Sequence, residues 1–175
     1  MALVFGDFDV SDFWEDSDYA RKEYVGEPLT DELAASIELE IGYKLPAAYI
    51  ALMRVQNGGI PRLTDHRTQK PTSWAKDHIA IAGIYGINRS KDSSLGGQYG
   101  SKFWEEEWGY PPIGVYFADC PSAGHDMLCL DYRECGVDGE PQVVHIDQES
   151  DYEITFVAKD FESFIRGLEN YKTID

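Results

Sequence analysis

A chain of 175 residues, 43% hydrophobic and 13% aromatic, has the length of one domain and the apolar content of a packed core. That excludes global disorder and any need for a disulfide or metal staple. No apolar run approaches the roughly 18 residues a membrane-spanning helix requires, and 15 basic against 32 acidic residues leave a net charge of −17, a field that repels nucleic-acid phosphate and anionic membrane surfaces alike.

Residues 1–10 carry Asp7 and Asp9 and lack a basic stretch followed by an apolar one, so no secretory signal is expected. Over 5–24, Phe5, Phe8, Phe13, Trp14, Tyr19 and Tyr24 are mixed with acids. Disordered tails are poor in aromatics, so residues 1–25 are expected to pack on the domain, partly as short helix. Thr30 followed by Asp31 and Glu32 reads as a helix start, Leu33, Ile37 and Ile41 form its apolar stripe, and Gly42 ends it. Pro46 opens a second helix with the stripe Tyr49, Leu52, Met53 and Gln56, stopped by Asn57-Gly58-Gly59. From His78 the period changes. Ile79, Ile81 and Gly83 alternate with Ala80, Ala82 and Ile84, which predicts one strand over 78–84 buried on both faces.

Residues 88–100, rich in Gly and Ser, read as a loop, and 103–108 as a short aromatic, acidic helix or turn. Strands are predicted over 113–118, 127–132 and 142–147, with 152–157 pairing back on 143–146 as a hairpin. Asp160 caps a closing helix whose apolar face is Phe161, Phe164, Ile165 and Leu168. The order predicts one α+β domain over 1–175: a mainly antiparallel β-sheet packed with an N-terminal helical hairpin and a C-terminal helix.

The chemistry-bearing residues are few. Cys120, His125, Cys129 and Cys135 offer a zinc-type donor set, but no Cys-x2-Cys pair occurs, and Cys129 lies in a strand pattern where a free thiol packs as a small hydrophobe. No metal or other cofactor is expected. The odd cysteine count argues against a disulfide framework and for a reducing, cytoplasmic location. A thiol hydrolase needs a histidine activating the nucleophile, and His66, His78, His125 and His145 carry no such local signature. The run from Gly96 to Lys102 departs from a phosphate-binding loop because its lysine follows the serine; it reads as a surface loop.

His125, Asp126, Asp131 and Tyr132 fall at the ends of one strand. Two readings stand for them: polar caps of the sheet, or part of a recognition surface. Acids cluster in two further places, Glu105, Glu106 and Glu107, and Asp147, Glu149 and Asp151 at the hairpin turn. Both clusters are candidates for contact with a basic partner, and ordinary solvated acids are the competing reading.

Three stretches, in order, carry a resemblance. The first is Ile41-Gly42-Tyr43-Lys44-Leu45-Pro46 with Tyr49-Ile50 and Asn57-Gly58-Gly59. The second is Pro121-Ser122-Ala123-Gly124-His125-Asp126-Met127-Leu128-Cys129-Leu130-Asp131-Tyr132. The third runs from Gly139-Glu140-Pro141-Gln142-Val143-Val144 into the closing helix. Together they resemble the SUKH superfamily, which groups Smi/Knr-type cell-wall regulators of yeast with many bacterial proteins. The resemblance implies an α+β fold and no established catalytic chemistry. Bacterial members are regarded as immunity proteins that neutralise polymorphic toxins, often nucleases; yeast members resemble adaptors in cell-wall signalling.

The expectation is therefore an intracellular immunity protein, not an enzyme, that binds and neutralises a toxin domain; a basic nuclease is the kind of toxin an acidic inhibitor would match. The alternatives are an adaptor for an endogenous protein and an enzyme using His125, Asp126 and Asp131 as acid/base groups.

Overall fold

The computed structural model describes residues 5–171. A helical hairpin precedes the main sheet. In α2 (Asp31–Ile41), the Thr30 hydroxyl accepts the Leu33 N–H at 3.1 Å and Gly42 takes the left-handed conformation that ends the helix. α3 (Ala47–Val55) follows Pro46 and buries Tyr49, Leu52 and Met53. Ahead of the hairpin, α1 (Asp18–Glu23) is capped by Ser17, and Phe5, Phe13, Trp14, Ala20 and Tyr24 of the N-terminal segment are buried in the core.

Two antiparallel sheets follow. The larger runs in the order β3 (Gly83–Ile84), β4 (Gly114–Asp119), β5 (Asp126–Asp131), β6 (Gln142–Asp147), β7 (Glu153–Ala158), each strand beside its neighbour in sequence. Its register is fixed by rows such as Met127 opposite Ile146, itself opposite Ile154. Every residue of β5 is buried, as a central strand covered on both faces requires. On one face, Phe117 packs edge-on to Tyr49, Phe161 and Phe164, so α3 and α5 (Phe161–Arg166, capped by Asp160) cover it. On the other, Ser101 in α4 (Ser101–Glu107) accepts the Tyr116 N–H at 2.9 Å, and Tyr110 packs against Tyr116 and Tyr152. The fold is α+β, as the element order implied.

The smaller sheet, β2 (His78–Ala80), β1 (Asp65–Arg67), β8 (Leu168–Glu169), corrects the single strand expected over 78–84. The chain changes sheets in the middle of that run: the Ile81 N–H goes to Thr64 O at 2.8 Å and the Ala82 N–H to Asp119 O at 2.7 Å. Gly83 makes the transfer sterically possible, because a Cβ there would lie 2.4 Å from the Tyr24 ring. The loop over 88–100 is irregular as expected but not wholly at the surface, since Asn88, Ser94 and Leu95 are buried. Among the described residues no helix is long and apolar enough to cross a membrane.

Candidate functional site

The two acidic clusters, distant in sequence, are joined in space. Trp104 turns inward from α4 and donates its indole N–H to Tyr99 O at 2.8 Å, while Glu106 and Glu107 face solvent. Glu105 is half-buried, and burial together with neighbouring Glu106 pushes its carboxyl above the usual value. The helix ends at Trp108, whose ring lies edge-on to His125 with centroids 5.6 Å apart. His125 is exposed at the end of the β4–β5 turn; its Nδ1 lies 2.5 Å from Glu149 Oε1 and its carbonyl accepts the Gln148 N–H at 2.9 Å. The Tyr152 hydroxyl donates to Trp108 O, closing the circuit. Glu106, Glu107, Glu149 and Asp151 thus stand exposed around a Trp108–His125 contact. Among the described residues, none of Glu105, Glu106, Glu107 or Asp151 forms an ion pair.

The other candidate residues are interior. Asp126, Asp131, Tyr132 and Asp147 are each at most 3% exposed, so their side chains offer almost no surface to a partner. Asp131 accepts from Arg133 at 3.0 and 2.8 Å and from Gln142 at 3.0 Å. Burial drives its carboxyl up, but these hydrogen bonds outweigh burial and hold it below the usual value. The Tyr132 hydroxyl donates to Lys44 O at 2.7 Å, tying β5 to the α2–α3 joint. Asp147 accepts the Ser73 N–H at 3.1 Å and caps the turn after β6 through the Glu149 N–H at 3.0 Å. These are the polar caps of the sheet. Nor do His125, Asp126 and Asp131 converge on one centre: the two aspartates bound β5, roughly 16 Å apart along the strand, and alternate faces.

The zinc-type set read from the sequence does not assemble either. His125 is exposed, Cys135 is half-buried in the β5–β6 loop, and Cys129 is enclosed in β5. A different trio does: the donor atoms of Cys120, Asp126 and His145 all lie within 4.8 Å of one another, fully buried. Its bonding places the carboxylate at the centre. Asp126 accepts from His145 Nε2 at 2.7 Å and from the Ser122 hydroxyl, while His145 Nδ1 has no partner among the described residues. Burial and then the Asp126 charge push the Cys120 thiol well above its ordinary value. A nucleophilic thiol needs a base that takes its proton and a depressed pKa; here the nearby imidazole is bonded to Asp126 and the thiol is shifted the other way. A closed structural zinc site takes four ligands, and this trio supplies three.

Against known families, the chain matches the SMI1 / KNR4 family model, also called SUKH-1, over residues 28–167. The chain belongs to the SMI1 / KNR4 family. No curated protein matches it. The SMI1 / KNR4 match takes in everything from the helical hairpin to α5 and so includes the whole acidic face, while α1 and β8 lie outside it.

Within that SMI1 / KNR4 domain the structure adds a feature the sequence reading missed. Beside the acidic face lies a cavity of about 310 Å³, lined by Tyr99, Phe103, Trp104, Trp108, Asp119 and Gly124 among others. Gly124 is required there: at φ +94 its Cα sits under the indoles, and a Cβ would lie 2.8 Å from Trp104 and 3.1 Å from Trp108. Asp119, the last residue of β4, accepts the Tyr24 hydroxyl at 2.9 and 3.0 Å. Burial nevertheless pushes its carboxyl up to about 6. The aromatic run over 99–108 was a visible signal. That Asp119 would face it depended on strand register, which the sequence leaves open.

Proposed function

We propose that this SMI1 / KNR4 protein is an intracellular binding protein, not a catalyst, whose partner is a basic toxin domain that it occludes stoichiometrically. The observation that carries this reading is the joined acidic face. Glu106, Glu107, Glu149 and Asp151, drawn from two separate elements, are exposed together around Trp108 and His125. Aromatic anchors inside a charged rim are the anatomy of a protein-binding patch, and like charges with few intramolecular partners are best satisfied by an opposite charge from outside. The buried Asp126 network, with its thiol suppressed, supports the non-catalytic part of the reading.

The experiment is capture with the immobilised protein, in parallel with a variant carrying Glu106→Lys, Glu107→Lys and Glu149→Lys, followed by co-expression of whatever is retained. The expected result is a basic polypeptide retained by the wild type and lost by the variant, toxic when expressed alone and harmless when co-expressed. Retention of a non-toxic regulatory protein by both forms would replace this reading with that of an adaptor.

A further inference from the structure

The cavity beside the acidic face has the composition of a cation receptor. Tyr99, Phe103, Trp104 and Trp108 surround it, with ring centroids 5.0 Å apart for Tyr99–Phe103, 4.9 Å for Phe103–Trp104 and 5.5 Å for Trp104–Trp108. Aromatic faces are electron-rich and attract a cation within about 6 Å of a ring centroid, indoles most strongly. Asp119 is a carboxylate in the same wall, and among the described residues no lysine or arginine lines the cavity. The arginines seen over rings are elsewhere: Arg67 over Tyr171 and Arg166 over Phe8. Helical spacing brings Glu106 and Glu107 next to Phe103, and Glu107 next to Trp104, so the approach is acidic as well.

We propose that this cavity receives an arginine side chain of a basic partner protein, its guanidinium stacked on the Trp104–Trp108 wall and hydrogen-bonded to Asp119. This rests on the partner-binding reading above and names the group that reading leaves unspecified. Arginine fits better than lysine because its flat, weakly hydrated guanidinium stacks on rings and presents paired donors to a carboxylate. Asp119 has acceptor capacity left after the Tyr24 hydroxyl bond. A burial-raised carboxyl is also one that a bound cation relieves.

The test uses N-acetyl-argininamide as probe, followed by NMR of the indole N–H and backbone amide signals. The expected result is saturable shifts at Trp104, Trp108 and Gly124, with the neutral isostere N-acetyl-citrullinamide producing none at the same concentration. Trp108→Ala should weaken the probe by at least about fivefold, the range of a partly desolvated cation–ring contact, and Asp119→Asn should weaken it as well. If either variant fails to fold, the arginine–citrulline comparison on the wild-type protein decides. Equal shifts from both probes, or arginine shifts spread over exposed acids with no saturation at the indoles, would overturn the proposal. Because the probe needs no partner, that failure is separable from failure of toxin capture.

Discussion

Asp119 and Asp126 stand at the two ends of one turn, and the same forces move them in opposite directions. Burial raises both carboxyls. For Asp126 the hydrogen bonds from His145 and Ser122 outweigh it, whereas for Asp119 the Tyr24 hydroxyl does not, leaving its carboxyl at about 6. A carboxyl whose folded value lies above its unfolded value of 3.8 contributes stability that is complete below that value and is lost as pH rises through about 6. In Asp119→Asn that titration is gone. The stability of the variant relative to wild type should therefore rise by about 3 kcal/mol between pH 3.5 and pH 7.5, a gap near two pKa units at roughly 1.4 kcal/mol each. Urea denaturation of both proteins across that range measures it; a constant difference would mean that Asp119 is solvated in the folded protein. Asp126 and Asp131 act in the opposite sense, stabilising above their unfolded value and losing that contribution as pH falls through their lower folded values. A second residue carries more than its sequence context indicated. Asn57 reads as a helix stop, yet its side chain bonds Glu27 O and Ile87 O at 2.9 Å each and accepts the Ile87 N–H at 2.6 Å. Asn57→Ala strands the buried Ile87 N–H and carbonyl and should cost about 3 kcal/mol in the same denaturation assay.

At the scale of elements, what the sequence made legible depended on length. α2, α3, α5 and the four long strands each carry at least one full turn or several alternations, so their periods were readable and their observed bounds fall close to those expected. β1, β2, β3 and β8 hold two or three residues each, less than a pattern needs, and they exist because distant partners complete them, as Asp65 opposite Glu169 does. The same limit governed the site. Glu106, Glu107, Glu149 and Asp151 could be named as exposed acids from turn and helix chemistry, but their meeting through Trp108 and His125, and the burial of Asp126, Asp131, Tyr132 and Asp147, follow from register and tertiary packing. The stripes that were readable make a direct prediction. Leu52 in α3 and Phe164 in α5 are fully buried against the same sheet face, so each change to alanine leaves a cavity that the packed rings around Phe117 cannot close. Leu52→Ala should cost about 2–5 kcal/mol and Phe164→Ala about 3–5 kcal/mol. A neutral result for either in chemical denaturation would place that helix face outside the core.

For the whole molecule, a charge of −17 and one locally acidic face make different predictions about association. Net charge acts on any basic partner from every direction, whereas a face steers only approaches that lead to the correct docking geometry. Both are screened by salt beyond a Debye length of about 10 Å at 0.1 M, so a salt series alone does not separate them. Two quadruple variants do. One reverses Glu106, Glu107, Glu149 and Asp151 to lysine; the other reverses Glu27, Glu32, Glu134 and Asp138, which are equally exposed and lie outside the face. Each changes the net charge by the same amount, and exposed substitutions of this kind typically cost within about 0.5 kcal/mol apiece, so both should fold. In stopped-flow association with the captured partner at low salt, the face variant should slow the on-rate by about tenfold or more and raise the off-rate less. The control variant should slow it only slightly, and the gap between the two should close as salt is raised. Equal slowing by both would reduce the acidity to a bulk property of the protein. A face variant as fast as wild type would move the docking surface away from Trp108 and His125 altogether.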